Sequence, residues 1–218
     1  MSILDKIVQY LVNNPGEFLW AVQYHLLFLV LIPVALAIMI SVPLGIMATY
    51  FKSLEKVAMA IVNVVQTIPS LALLVFMIFI GMGIGLKPAI ATLFLYSLMP
   101  ILRNTIVGIK NVDPYLKEAA TGMGMTRWQR LIMVELPLAL SVIMTGIRTA
   151  TVLCIGTGTL AAYVGAGGLG TYIVRGLNMM WEHLLFIGAV PSAILAMLAD
   201  WALGKLEHRL VPRGLRND

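Results

Sequence analysis

The sequence is short of charge, of cysteine and of histidine, and each shortage removes a class of protein. Only 11% of its 218 residues are charged, whereas an ordinary soluble domain carries about 25%. With 60% apolar residues and a mean hydropathy of +0.94, this excludes a disordered chain, a coiled coil and a typical cytosolic enzyme. The single cysteine, Cys154, leaves no internal disulfide to staple the fold. The three histidines, His25, His183 and His208, lie far apart without metal-ligand spacing. There is no GxxxxGK[ST] loop, no Gly-x-Ser-x-Gly and no HExxH, so neither a P-loop nucleotide site nor a common catalytic constellation is written here.

What the chain has is long uncharged runs. Residues 18–51 hold no Asp, Glu, Lys or Arg over 34 positions, and residues 57–86 hold none over 30. A bilayer crossing takes about 20 apolar residues. The expected fold class is therefore an all-α integral membrane protein, with five spans at about 24–50, 57–80, 88–109, 135–156 and 184–206. The first run is too long for the apolar core of a signal peptide, and no small-residue cleavage site closes it. Residues 157–183 carry Gly158, Gly165, Gly167, Gly168, Gly170 and Gly176, a glycine load that suits an irregular or re-entrant segment packed inside protein. A short sixth span is the alternative reading. Pro33, Pro43, Pro69, Pro100, Pro137 and Pro191 fall within spans, and each removes a backbone donor and favours a kink.

The basic residues set the orientation. Five spans put Lys52, Lys56, Lys110, Lys117, Arg127, Arg130, Lys205, Arg209, Arg213 and Arg216 on one side, and only Lys6, Lys87 and Arg175 on the other. The first set marks the cytoplasm, which leaves the N-terminus outside and the C-terminus inside. The net charge of +5 is thus a topology signal and not a nucleic-acid footprint. Trp20, Trp181 and Trp201 fall near span ends, as rings anchored at the membrane interface do.

The cytoplasmic loop 110–135 is more structured than a connector requires. Asp113-Pro114 is a helix start, with Asp113 as cap and Pro114 in the first turn. Gly122 and Gly124 close that short helix, and Thr126 with Gln129 form the capping box of the next, which leads into the fourth span. A rigid, partly apolar helix set crosswise beneath the membrane reads as a docking surface for a soluble partner.

Here the sequence resembles a family. Glu118-Ala119-Ala120, three residues, Gly124, nine residues and Val134-Glu135-Leu136-Pro137 match the EAA motif of bacterial ABC-importer permeases, with Val134 where isoleucine is usual. Gln66-Thr67-Ile68-Pro69-Ser70-Leu71-Ala72, Pro100-Ile101-Leu102-Arg103-Asn104-Thr105, Gly146-Ile147-Arg148-Thr149 and Gly165–Gly170 are similar to the osmoprotectant branch, which imports glycine betaine, carnitine and choline. Methionine importers share the plan and some of these segments. The resemblance implies the type I importer permease fold and import by alternating access, with methionine or another small zwitterion as the alternative cargo. It implies a coupling helix in which Glu118, Ala119, Ala120, Gly124 and Met125 meet the ATPase. The implied partners are two cytoplasmic ATPase subunits, a second permease chain (identical or paired), an extracytoplasmic solute-binding protein and the lipid bilayer. ATP and Mg would sit on the ATPase, with no cofactor on this chain and no enzymatic role.

Other residues carry weaker expectations. Gly165, Gly167 and Gly170 spell GxGxxG, but no strand–turn–helix context makes it a nucleotide site. Close packing or a gate at Gly167 suits it better. Arg103 and Arg148 are charges inside spans, costly unless they face protein or water. Pathway lining, ion pairing and snorkelling are open to them, and Asp200 is a further charge of this kind. Gln66, Thr67 and Ser70 form a polar patch beside Pro69, as pathway lining or as hydrogen bonds between helices. Tyr96 lies inside a span, where its ring face could meet a cationic head. Cys154 fits a small apolar filler.

Overall fold

A computed structural model describes residues 2–211; Arg213 and Arg216 of the orientation tally lie outside that range. Among the described residues the chain is helical, without a strand. The elements are α1 (Ile3–Asn13), α2 (Pro15–Tyr50), α3 (Lys52–Thr67), α4 (Ser70–Met82), α5 (Leu86–Lys110), α6 (Pro114–Gly122), α7 (Arg127–Val164), α8 (Gly170–Met179) and α9 (Glu182–Leu210). Four of them, α2, α5, α7 and α9, are long and apolar enough to cross a membrane, at 36, 25, 38 and 29 residues. The pair α3 and α4 qualifies together but is bent by 101°. The expected span at 57–80 is thus a broken one. Pro69 is the cause: it lacks an amide hydrogen, and it holds Ile68 before it in an extended conformation (φ −76°, ψ 127°).

Helix α5 is the hub, with α2 and α7 packed along it and α3 against its loop-side half. Ile101, Leu102, Ile106 and Ile109 are each at most 4% exposed. The α5–α7 crossing is close because Gly146 has no side chain. A Cβ there would lie 2.7 Å from both the Pro100 carbonyl oxygen and the Asn104 Cβ. Small residues let helices approach in this way where lipid supplies no hydrophobic drive between them.

At four points where proline or a change of pitch frees a carbonyl, a side chain from another helix takes it up. Pro100 cannot donate to the Tyr96 carbonyl one turn back, and Gln66 Nε2 donates to it instead at 2.8 Å. Pro33 cannot donate to Leu29, whose carbonyl takes the Cys154 thiol at 3.4 Å. The Ile68 carbonyl at the α3–α4 break accepts from the Tyr96 hydroxyl. At Thr159, α7 tightens to a three-residue turn, so the Ile155 carbonyl loses its amide donor, and His25 Nε2 lies 3.1 Å from it. An unpaired carbonyl in hydrocarbon is expensive, and these side chains from neighbouring helices remove that cost. Helices α2 and α7 also widen to five-residue turns over His25–Leu31 and Leu131–Glu135, each ending just before a proline, Pro33 or Pro137. The wider turn relieves the clash of the proline ring with the preceding turn.

The stretch 157–183 comprises the end of α7, the tight turn Thr159–Val164, a glycine loop and α8. In that loop Gly165, Gly167 and Gly168 have φ between +75° and +82°.

Candidate functional site

The loop between α5 and α7 is a braced unit. The Asp113 carboxylate accepts from the Tyr115 amide at 2.9 Å and starts α6. Lys117 Nζ donates to the carbonyls of Ile109 (2.9 Å) and Lys110 (3.4 Å), covering the last turn of α5 with a cation, where both the free carbonyls and the helix dipole favour one. Lys110 pairs with Glu55 at 2.6 Å, tying that end of α5 to α3. Thr126 and Gln129 exchange the two hydrogen bonds of a capping box at the start of α7.

Arg130 is the keystone of this unit. Its Nε donates to Glu135 at 2.8 Å, and its terminal nitrogen donates to the Thr121 hydroxyl at 3.0 Å. It thereby joins α6 to the base of the fourth span. The wide turn over Leu131–Glu135 makes the contact possible. In a regular α-helix residues five apart point about 140° away from each other; with i→i+5 hydrogen bonding they fall on one face. Glu135 is buried, with 4% of its side chain exposed, and Arg130 is the cation paired with it.

The outward surface of this unit is apolar and open. Tyr115, Leu116, Met123 and Trp128 are exposed, and Glu118, Ala119, Gly122 and Gly124 are exposed among them. Ala120 is buried and Met125 half-buried, so these two of the motif positions face the bundle. Gly124 sits at φ +84°, and a Cβ on it would meet no atom within 4 Å. Its role is backbone conformation and an open surface.

A second cluster joins the middle of α7 to the C-terminal half of α9. Arg148 of α7 holds Asp200 of α9 through two parallel bonds of 2.9 Å and Glu207 at 3.0 Å. Ser141 donates its hydroxyl to Glu207. One cation with two carboxylates leaves a surplus of one negative charge. The cluster opens on a groove of about 550 Å³ lined by Thr145, Thr149, Val152, Leu153 and Met197. Asp200 is 45% exposed there. A half-exposed ion pair at this depth cannot face hydrocarbon.

At the opposite end of the bundle, the glycine loop seats on the start of the first span. Gly168 lies over the ring of His25, and Gly167 over that of Tyr24. Gly170 is crossed by the backbone of Thr159: a Cβ there would lie 1.9 Å from the Thr159 carbonyl oxygen. The GxGxxG spacing therefore records close backbone packing at Gly170 and left-handed backbone at Gly165 and Gly167.

The expected site residues are not brought into one place. The motif residues lie on the loop, Arg148 in the middle of α7 and Gly167 at the far end. Gln66 is engaged with Tyr96, and Thr67 bonds back to the Val64 carbonyl at 2.7 Å. Ser70 is half-buried at the start of α4. Arg103 is exposed on α5, and Tyr96 lends its hydroxyl to the broken turn. Sequence reasoning did not find Arg130, Glu135, Lys117 or Thr121 as working parts. The only hint was a basic residue five positions before Glu135, a spacing that means nothing without the wide turn.

Comparison with known proteins gives three findings. Residues 41–212 match the family described as the binding-protein-dependent transport system inner membrane component. The chain is 45% identical over 213 residues to the glycine betaine/carnitine/choline transport system permease protein OpuCB of Bacillus subtilis, covering 98% of this chain and 97% of that protein. It is 43% identical to the osmoprotectant import permease protein OsmW of Salmonella typhimurium, covering 96% and 99%. Among solved structures it resembles a chain of the inward-facing MetNI methionine ABC transporter, with a TM-score of 0.76 at 24% identity over 91% of this chain and 99% of that one.

Proposed function

The chain belongs to the family of binding-protein-dependent transport system inner membrane components, and from that premise we propose that it is the permease through which an ATP-driven importer passes quaternary-ammonium osmoprotectants. Near-full-length identity to glycine betaine, carnitine and choline permeases is the observation that carries the cargo. The exposed apolar face of α6 carries the mechanism. A cytoplasmic ATPase subunit takes Tyr115, Leu116, Met123 and Trp128 into a cleft, with Glu118, Ala119 and Gly124 at the contact.

The force path follows from the bracing. Motion of α6 reaches α7 through Thr121, Arg130 and Glu135, and reaches α5 through Lys117. A helix hung on flexible linkers would move alone; this one carries two spans with it. Two such chains face each other, each served by one ATPase, and an extracytoplasmic binding protein delivers the solute. The groove beside Arg148 and Asp200 turns toward the second chain and the aqueous path between them. Its negative surplus favours a cationic head, and its Thr145 and Thr149 hydroxyls, already donating to backbone carbonyls, keep lone pairs for water. The loop lies in the cytoplasm and the N-terminus outside.

Uptake by proteoliposomes holding the complete transporter tests this reading. Labelled glycine betaine, carnitine or choline should accumulate only with internal ATP and loaded binding protein. Accumulation of methionine in their place would keep the machine and overturn the cargo. Accumulation without ATP would overturn the machine.

A further inference from the structure

Helix α1 has no place in the transport cycle described above, yet it is built with care. Ser2 and Asp5 form a capping box, with the Ser2 amide donating to the Asp5 carboxylate at 2.9 Å. That bond and the Ser2 hydroxyl contact hold the Asp5 carboxyl below its usual range.

The circumference of the helix divides into three arcs. At about 100° per residue, Ile7, Tyr10 and Leu11 share one arc. These pack on Tyr172 of α8 and on Leu184 and Ile187 of α9, with the Tyr10 and Tyr172 rings edge to face at 6.0 Å. Asp5, Lys6, Gln9 and Asn13 form the polar arc. Between them runs a third, of Leu4, Val8 and Val12, which are 72%, 59% and 70% exposed. No described element covers it. A helix of 11 residues is marginal alone, and a water-facing apolar stripe would add nothing to hold it.

Across the helix from the stripe, Ile3 and Lys6 line a cleft with Met180, Trp181, Glu182 and His183 at the turn between α8 and α9. Met180 and Trp181 are themselves 88% and 51% exposed, and Trp20 at the start of the first span is 59% exposed. Exposed tryptophans at span ends, together with a helix that carries an uncovered apolar stripe and a polar arc, are the arrangement of a membrane-interface element.

We propose that α1 lies along the outer surface of the bilayer, one arc on the protein, one in water, and Leu4, Val8 and Val12 in the boundary between headgroups and acyl chains. The partner is the acyl boundary and not an anionic headgroup. Asp5 and Lys6 cancel on the helix, and the nearby Arg175 is paired with Glu17 at 3.0 Å, so no basic surplus is left to attract acidic lipid. The choice of the outer leaflet rests on the orientation proposed above; the lipid contact does not.

The test uses Val8→Cys and, separately, Gln9→Cys in the assembled transporter in liposomes, each carrying an environment-sensitive fluorophore. Cys154 is buried and does not compete for label. The label at position 8 should be quenched severalfold more by lipid brominated near the headgroup than by aqueous iodide, and the label at position 9 the reverse. Neither ratio should change when zwitterionic lipid is replaced by anionic lipid. Iodide quenching at position 8 would place the stripe in water, and access by neither quencher would place it under protein; each overturns the proposal. In intact cells an impermeant thiol reagent should reach Gln9→Cys. Failure there with lipid quenching intact would overturn the orientation and keep the interfacial helix.

Discussion

Arg130 joins Thr121 to Glu135, two groups that move together in the proposed mechanism, and its removal should be felt in two ways. Arg130→Ala leaves the Glu135 carboxylate buried without its cation, a loss of about 3 kcal/mol by comparison with other broken buried pairs. It also releases Thr121, so α6 can move without α7. The expected outcome is a lower unfolding temperature together with ATP hydrolysis that persists while transport falls more than tenfold. Arg130→Lys keeps the charge but cannot reach both partners with a fixed fork, so it should restore stability more than coupling. Equal recovery of both would argue against a transmitting role.

Gly170 gives a residue-scale prediction of pure sterics. Gly170→Ala puts a methyl group 1.9 Å from a backbone oxygen, so the segment must shift as a body. Little folded protein should be recovered, whereas Gly16→Ala, with nothing within 4 Å, should be neutral by thermal unfolding in detergent.

At the scale of elements, the helices are held by repairs as much as by packing. If Gln66 serves to satisfy the carbonyl that Pro100 frees, Gln66→Leu should cost about 1–3 kcal/mol. In a Pro100→Ala background the same change should cost much less, because the substituted alanine supplies the missing amide hydrogen. A double-mutant cycle on thermal unfolding reads this directly, and additive costs would contradict it. These repairs also mark what was legible in the sequence. The prolines announced the freed carbonyls, and the uncharged runs announced the long helices. Asp113-Pro114 and the Thr126–Gln129 pair announced the loop helices, and the caps form as the spacing predicts. The partners were not legible. Gln66 lies 30 residues from Tyr96 and His25 lies 130 from Ile155, and no local pattern encodes such a meeting. The 101° break at Pro69 was foreseen only as a kink, since proline fixes its own φ but not the direction of the chain beyond it.

The whole molecule is a hub-and-lever arrangement in a protein with few charges. Those charges gather at three levels: the loop, the cluster on Arg148, and the pair of Glu17 with Arg175 at the far end. The loop and the cluster share α7, whose 38 residues run from Arg127 past Arg148 to the glycine loop. In the proposed mechanism a displacement applied at one end is carried to the groove along this helix, whose one wide turn on the way is at Leu131–Glu135.

The central claim is that this helix is driven through α6. The most direct test is ATP hydrolysis by the reconstituted complex of the Gly124→Trp variant, with membrane insertion and chain pairing verified alongside. An indole on the open surface at Gly124 should keep α6 out of the ATPase cleft. The account predicts that loaded binding protein no longer stimulates hydrolysis and that solute uptake falls to background, with assembly of the membrane part unchanged. Stimulation and uptake at the level of the unmodified transporter would contradict it.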